Sequence, residues 1–198
     1  MTTKTSCSAG WFLAFTLTFG AATAPAAAPP PALWTLGTPD GAAMEFAPGG
    51  REELTFTVGQ SVVSKDFAGS QAGAEDWDGK TKEKAYRIVF DLAEAPQGRY
   101  ELALDLIYHS GAPTQFKVAV NDKTGIFPIQ PVGKKSAWGE EGNEMLLARQ
   151  HLVVPIDGAW LKAQGNQVVL TPLGLGSLSY DAIAFRRAAA APDPAPRL

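Results

Sequence analysis

Two histidines, His109 and His151, stand 42 residues apart, and neither falls in a metal-ligand spacing such as H-E-x-x-H. His109 follows an alternating apolar run, at that strand's end or in the loop beyond it. His151 opens the run Leu152-Val153-Val154 as an ordinary strand residue. Asp76 and Asp78 flank Trp77, and Glu140 adjoins Glu141. Such acidic pairs suit a structural calcium ion, although a solvated loop is the plainer expectation, and no other cofactor is expected. No G-x-S-x-G elbow, P-loop or dinucleotide fingerprint occurs. A hydrolase carboxylate pair is defined by a distance in space, which a sequence does not supply. Nothing here selects an enzyme.

The aromatic residues offer another chemistry. A sugar ring has an apolar C–H face and a polar rim, so a saccharide site sets an exposed indole or phenol beside Asn, Asp, Arg or His. Trp77 lies in Ala74-Glu-Asp-Trp-Asp-Gly-Lys80. Trp138 lies in Gly133-Lys-Lys-Ser-Ala-Trp-Gly-Glu-Glu-Gly-Asn143. Trp138 is the better candidate, because Lys134, Lys135, Asn143 and Arg149 supply polar partners close in sequence. The bland alternative is that each indole folds back over the core edge. Trp34 and Trp160 sit among apolar residues and are expected in the core. Tyr108 and His109 add a strand-end contact to the candidate set.

The rest of the chain limits what these residues can serve. Lys+Arg 17 against Asp+Glu 20 gives a net charge of −3, so no basic excess exists to neutralise a nucleic-acid backbone. One cysteine excludes a disulfide framework, an iron–sulfur cluster and a cysteine-rich zinc site. Trp11 to Ala22 is an apolar run preceded by Lys4 and followed by small residues, including Ala24-Pro25-Ala26. A run of twelve suits a signal-peptide core and is too short to span a membrane. Residues 1–26 are therefore expected to be a signal peptide, and the mature chain to be secreted or periplasmic with no membrane attachment. An uncleaved N-terminal anchor is the alternative. Cleavage leaves 16 basic and 20 acidic side chains, net −4, and no cysteine. Residues 27–32 read as a stiff polyproline leader, residues 33–187 as one domain, and residues 188–198 as a disordered Ala/Pro tail.

The elements that must position the candidates repeat with a period of two. Tyr100, Leu102, Leu104, Leu106 and Tyr108 share one face, with Glu101 and Asp105 on the other. Tyr86, Ile88, Phe90 and Leu92 alternate likewise, and Pro96 and Gly98 lie between the two runs as in a hairpin connection. Phe116–Asn121, Leu152–Ile156, Val168–Thr171, Leu178–Phe185, Leu54–Val58 and Ser61–Ser64 supply further strands, and Asp157–Gln164 a short helical turn. Twenty glycines and fifteen prolines favour turns between short strands over long helices. The expected fold is all-β, an antiparallel β-sandwich of the jelly-roll kind.

Leu33-Trp34-Thr-Leu-Gly37-Thr-Pro-Asp40-Gly41-Ala-Ala-Met-Glu45-Phe46 resembles the W-x-I/L-G-x-x-D-G-x-x-x-E-F opening of the third domain of rhamnogalacturonan lyases. Phe56-Thr-Val-Gly59-Gln-Ser61 and Lys65-Asp66-Phe67 resemble its next segment. Gly98-Arg-Tyr100-Glu-Leu102, Val118-Ala-Val-Asn121, Leu161-Lys-Ala-Gln-Gly165-Asn166-Gln-Val168 and Leu178-Ser-Tyr180-Asp181-Ala-Ile183 follow in order, over most of residues 33–186. The resemblance implies a galactose-binding-like jelly roll that binds carbohydrate. It also implies that lyase chemistry belongs to a catalytic domain this sequence lacks, so no position here inherits the catalytic lysine and histidine.

Three functions remain open. The favoured one is an exported module that binds plant-type or other polysaccharide through Trp138, Asn143, Arg149, Trp77, Tyr108 and His109, with catalysis left to a separate chain. The second is a small polysaccharide lyase or other glycan-active enzyme using Tyr108, His109 or a lysine. The third is a structural or adhesion sandwich that meets a protein partner.

Overall fold

The computed structural model describes residues 31–189 apart from 52, 76–81, 83, 110–112, 130–131 and 138–143; of strand residues 51, 108, 109, 132–137 and 144–148 it describes the backbone only. The chain forms β1 (Ala32–Gly37), β2 (Ala47–Arg51), β3 (Leu54–Thr57), α1 (Val63–Asp66), β4 (Ala68–Ala72), β5 (Tyr86–Phe90) and β6 (Arg99–His109). It continues through β7 (Gln115–Val120), β8 (Lys123–Pro128), β9 (Val132–Ala137), β10 (Glu144–Asp157), a 3₁₀ turn (Gly158–Trp160), β11 (Asn166–Leu173) and β12 (Ser177–Arg187). Among the described residues no helix is long and apolar enough to cross a membrane.

The strands form two sheets. One runs β2-β4-β12-β6-β10-β9, with β1 on the β12 edge beyond β4; the other runs β3-β5-β11-β7-β8. The long pair β6 and β10 is antiparallel from Arg99↔Asp157 to His109↔Leu147. Alternation along β6 turns Tyr100, Leu102, Leu104 and Leu106 into the core, as the period of two predicts. From the second sheet, Tyr86, Ile88, Phe90, Phe116, Val118, Val168 and Leu170 meet them in one core. Aromatic rings dominate it. Trp34 and Tyr100 each stack on Phe185, at 5.6 and 5.5 Å between centroids. Phe67 meets Tyr86 and Tyr180 edge-on. These offset and edge arrangements suit the ring quadrupoles.

β12 changes phase at Asp181. Leu178 and Tyr180 point inward, then Ile183 and Phe185 do, and the register against β6 shifts between Tyr180 and Ala182. One inserted residue in a ladder reverses which parity faces the core and re-aims its own side chain. Asp181 is that residue.

Four expectations are corrected. The sheets are mixed, since β2 pairs parallel with β4 and β3 with β5. The runs 86–92 and 100–108 are not a hairpin: β5 pairs with β3 and β11, whereas β6 pairs with β10 and β12. Residues 91–98 instead carry the chain from one sheet to the other. Strands that face one core from opposite sides alternate as hairpin partners do, so period and turn residues alone do not separate the cases. Ser61–Ser64 is not a strand, because the Asp66 carboxylate accepts from the Val62 backbone N–H at 2.7 Å and fixes the helical turn α1. Finally, Trp160 lies outside the core. It is 37% exposed, while Trp34 is buried as expected.

Candidate functional site

Three of the six expected site residues, Tyr108, His109 and Arg149, lie where β6 ends and β10 arrives. Arg149 pairs across with Ile107, and Leu147 with His109. The hairpin β9–β10 is paired from Val132↔Arg149 to Ala137↔Glu144. Of the six candidate residues, Arg149 alone has a described side chain. Tyr108 and His109 are the last two residues of β6, known by backbone only, while Trp77, Trp138 and Asn143 lie outside the described residues, as do Asp76, Asp78, Glu140 and Glu141.

Arg149 is exposed and leans on the loop that follows β1. Its Nη2 donates to the Asp40 carbonyl at 3.2 Å, and a Cβ on Gly41 would overlap the guanidinium. Gly41 has φ +86, a conformation that glycine adopts without penalty. Its N–H donates to both carboxylate oxygens of Asp181 at 2.8 Å. Asp181 is buried, and this charge-assisted contact is what the β12 bulge delivers. The Asp40 carboxylate also accepts from the Ala42 N–H at 2.8 Å. Arg149 therefore presents its remaining donors from a fixed position at the end of the sheet. Gly37 is required for the same reason: a side chain there would strike the Asp181 carbonyl and the Phe46 ring.

His151, set aside as a strand residue, meets Asp105 across the β6–β10 ladder with Nδ1 to Oδ1 at 2.7 Å. The pair lies on the outer face with 52% and 29% exposure, in the manner of a solvated cross-strand contact. Among the described residues, no three of His, Cys, Asp and Glu converge to hold a metal ion.

At the other end of β10 the structure shows a feature absent from the expectations. A hollow of about 200 Å³ is lined by Val118, Val120, Lys123, Thr124, Gly125, Phe127, Val154, Pro155 and Trp160. Trp160 closes the 3₁₀ turn, which Asp157 caps by accepting from the Ala159 N–H at 2.9 Å. Asn121 Nδ2 donates to the Trp160 carbonyl at 2.7 Å and to Asn166 Oδ1 at 3.1 Å. Asn166 is fully buried and bonds both the N–H and the C=O of Lys162. The sequence signal for this exposed indole is its polar neighbourhood, with Asp157-Gly158 before it and Lys162 after it.

Two sheets around one aromatic core, with buried polar side chains fastening loops at either end, define a β-sandwich module. The family follows from similarity. A family model described as CBM-like, polysaccharide lyase family 4, domain III matches residues 32–185, and the chain belongs to that family. A solved structure of a family GH115 4-O-methyl-α-glucuronidase, BtGH115A, described as having specificity for decorated arabinogalactans, is similar at 18% identity and a TM-score of 0.44. The match covers 85% of this chain and 19% of that enzyme. No curated protein matches.

Proposed function

We propose that the chain is an exported carbohydrate-binding module of galactose-binding-like, jelly-roll type that holds a polysaccharide without cleaving it. Residues 1–26 direct export and are removed, and residues 33–187 form the module. Family membership over residues 32–185 carries this reading. The residues proposed to contact the ligand are Trp138, Asn143, Arg149, Trp77, Tyr108 and His109. Lys134, Lys135 and Arg149 are the cations this stretch offers an acidic polysaccharide, and Glu140, Glu141 and Glu144 in the same stretch equal them in number. The anchoring of Arg149 through Asp40, Gly41 and Asp181 supports its role, because a donor already held in place loses little freedom on binding.

Affinity electrophoresis of the mature chain on rhamnogalacturonan, polygalacturonate and galactan tests the reading. Retardation on an acidic glycan, reduced in Trp138→Ala and Arg149→Ala, is expected. Migration unaltered by any glycan would remove the function, and unaltered retardation in both variants would remove the site. Release of unsaturated uronide from pectin would restore the lyase alternative.

A further inference from the structure

Trp160 stands out physically because it is both rigid and open. Its backbone is fixed from three sides: by the Asp157 cap, by Asn121 Nδ2 on its carbonyl, and by buried Asn166 gripping Lys162 just beyond. Asn121 reaches this position with φ +53, and its own Oδ1 accepts from the Gln167 N–H at 3.0 Å. The indole nevertheless stays 37% exposed at a mostly apolar hollow walled by Phe127, Val154 and Pro155. Two polar residues, Lys123 and Thr124, are among those that line the hollow. The Lys123 ammonium contacts the Asp122 carboxylate at 2.9 Å, with both side chains half exposed or more. That contact holds the Asp122 carboxyl below its ordinary range, and the charge of Lys162 adds to the effect.

We infer that this hollow is a second saccharide site, one that takes a neutral sugar unit on the face of Trp160. The inference rests on the carbohydrate-binding reading above and adds a site and a ligand class to it. Three observations select the occupant. A volume of about 200 Å³ falls below the roughly 300–1,000 Å³ of pockets that engulf drug-sized ligands, so one ring fits and a longer ligand runs past it. The exposed indole offers an apolar platform to a C–H face. Lys123 lines the hollow, and its amine is already matched by the Asp122 carboxylate at 2.9 Å. A carboxylate-bearing sugar would have to displace Asp122 from that amine, whereas a hydroxyl can accept from it while the pair stays intact. The loop end suits acidic glycan and this hollow suits neutral glycan. The two sites therefore separate by ligand charge.

The test runs the mature wild type, Trp160→Ala and Lys123→Met through affinity electrophoresis on neutral galactan and on polygalacturonate. Wild type should be retarded by galactan to the same extent at about 0.05 M and about 0.5 M salt, since no net charge is matched. Trp160→Ala should weaken that retardation about tenfold, the size of one aromatic contact, and leave polygalacturonate retardation intact. Lys123→Met should weaken galactan retardation severalfold. Equal galactan retardation of wild type and Trp160→Ala overturns the site and leaves carbohydrate binding standing. Retardation by polygalacturonate alone overturns the neutral ligand class. Retardation by neither glycan overturns this site, and absence of retardation by rhamnogalacturonan as well overturns the carbohydrate-binding reading.

Discussion

Gln71 is fully buried on β4, and its amide reaches across the core. Nε2 donates to the Leu170 carbonyl of the opposite sheet at 2.8 Å and to the Lys84 carbonyl, while Oε1 accepts from the Tyr180 hydroxyl. Gln71→Met keeps the length of the side chain and removes all three bonds. The Leu170 and Lys84 carbonyls each lose a donor, and the Tyr180 hydroxyl is left in the core with no acceptor. At about 1–3 kcal/mol for each stranded group, with the hydroxyl dominating, the expected loss is about 3 kcal/mol. That is a large part of the ~5–15 kcal/mol that holds a domain folded. Tyr180→Phe removes the hydroxyl and strands only Oε1, costing about 1–2 kcal/mol. The double variant strands neither partner of that bond, so it should cost about 1–2 kcal/mol, less than Gln71→Met alone. The coupling is then about 3 kcal/mol. Urea unfolding of the four proteins with matched slopes measures it. Losses that add within about 0.5 kcal/mol would show that the two side chains act independently and refute the argument.

Gly41→Ala should destabilise by about 1–2 kcal/mol from its left-handed backbone alone and displace Arg149; a melting curve and polygalacturonate retardation, both reduced, check it. Alkaline stability should depend on Tyr180. Burial, and secondarily the neighbouring Tyr86, push its phenol well above the ordinary value. The folded chain thus keeps a proton that the unfolded chain releases near pH ~10, and stability is undiminished below that pH and falls as pH rises past it. Urea midpoints in that range should fall less steeply in Tyr180→Phe. Asp122, beside Lys123, should titrate below an ordinary carboxylate, chiefly through its Lys123 contact. Any stability this lends is present above the unfolded-state pKa and lost as pH falls through the folded one. Lys123→Met should return the Asp122 carboxyl carbon shift toward ordinary titration by NMR.

What was legible in the sequence was whatever one strand decides alone. Alternation in Tyr100–Leu106 and Tyr86–Phe90 identified both the strands and their inward faces. Pairing was not legible, because the choice between a hairpin and a crossing at 91–98 depends on which partner strands fill each sheet. β2 and β4, Ala47–Arg51 and Ala68–Ala72, escaped notice since Ala, Gly and Ser carry little strand signal. They are held by their place beside one another and, for β4, beside β12. The exposure of Trp160 is illegible for a related reason. Apolar neighbours suggested burial, but its exposure follows from a turn that Asn121 and Asn166 fix from 39 residues upstream and from the next strand.

An apolar core supplies most of the stability of such a shell, yet apolar contact has no direction. It cannot by itself say where a loop stands. The buried polar groups do that here. Asp181 fastens the loop after β1 through Gly41, Asn166 fastens the turn bearing Trp160, and Gln71 ties one sheet to the other. Each spends a buried hydrogen-bonding group at a position where an apolar residue would pack as well. Each lies where a loop or sheet must be held in one orientation. The two surfaces proposed to meet glycan both rest on such anchors, so binding and stability should part company by residue. Changing Trp160 or Arg149 alters what the surface offers, while changing Asn166 or Asp181 alters where that surface stands.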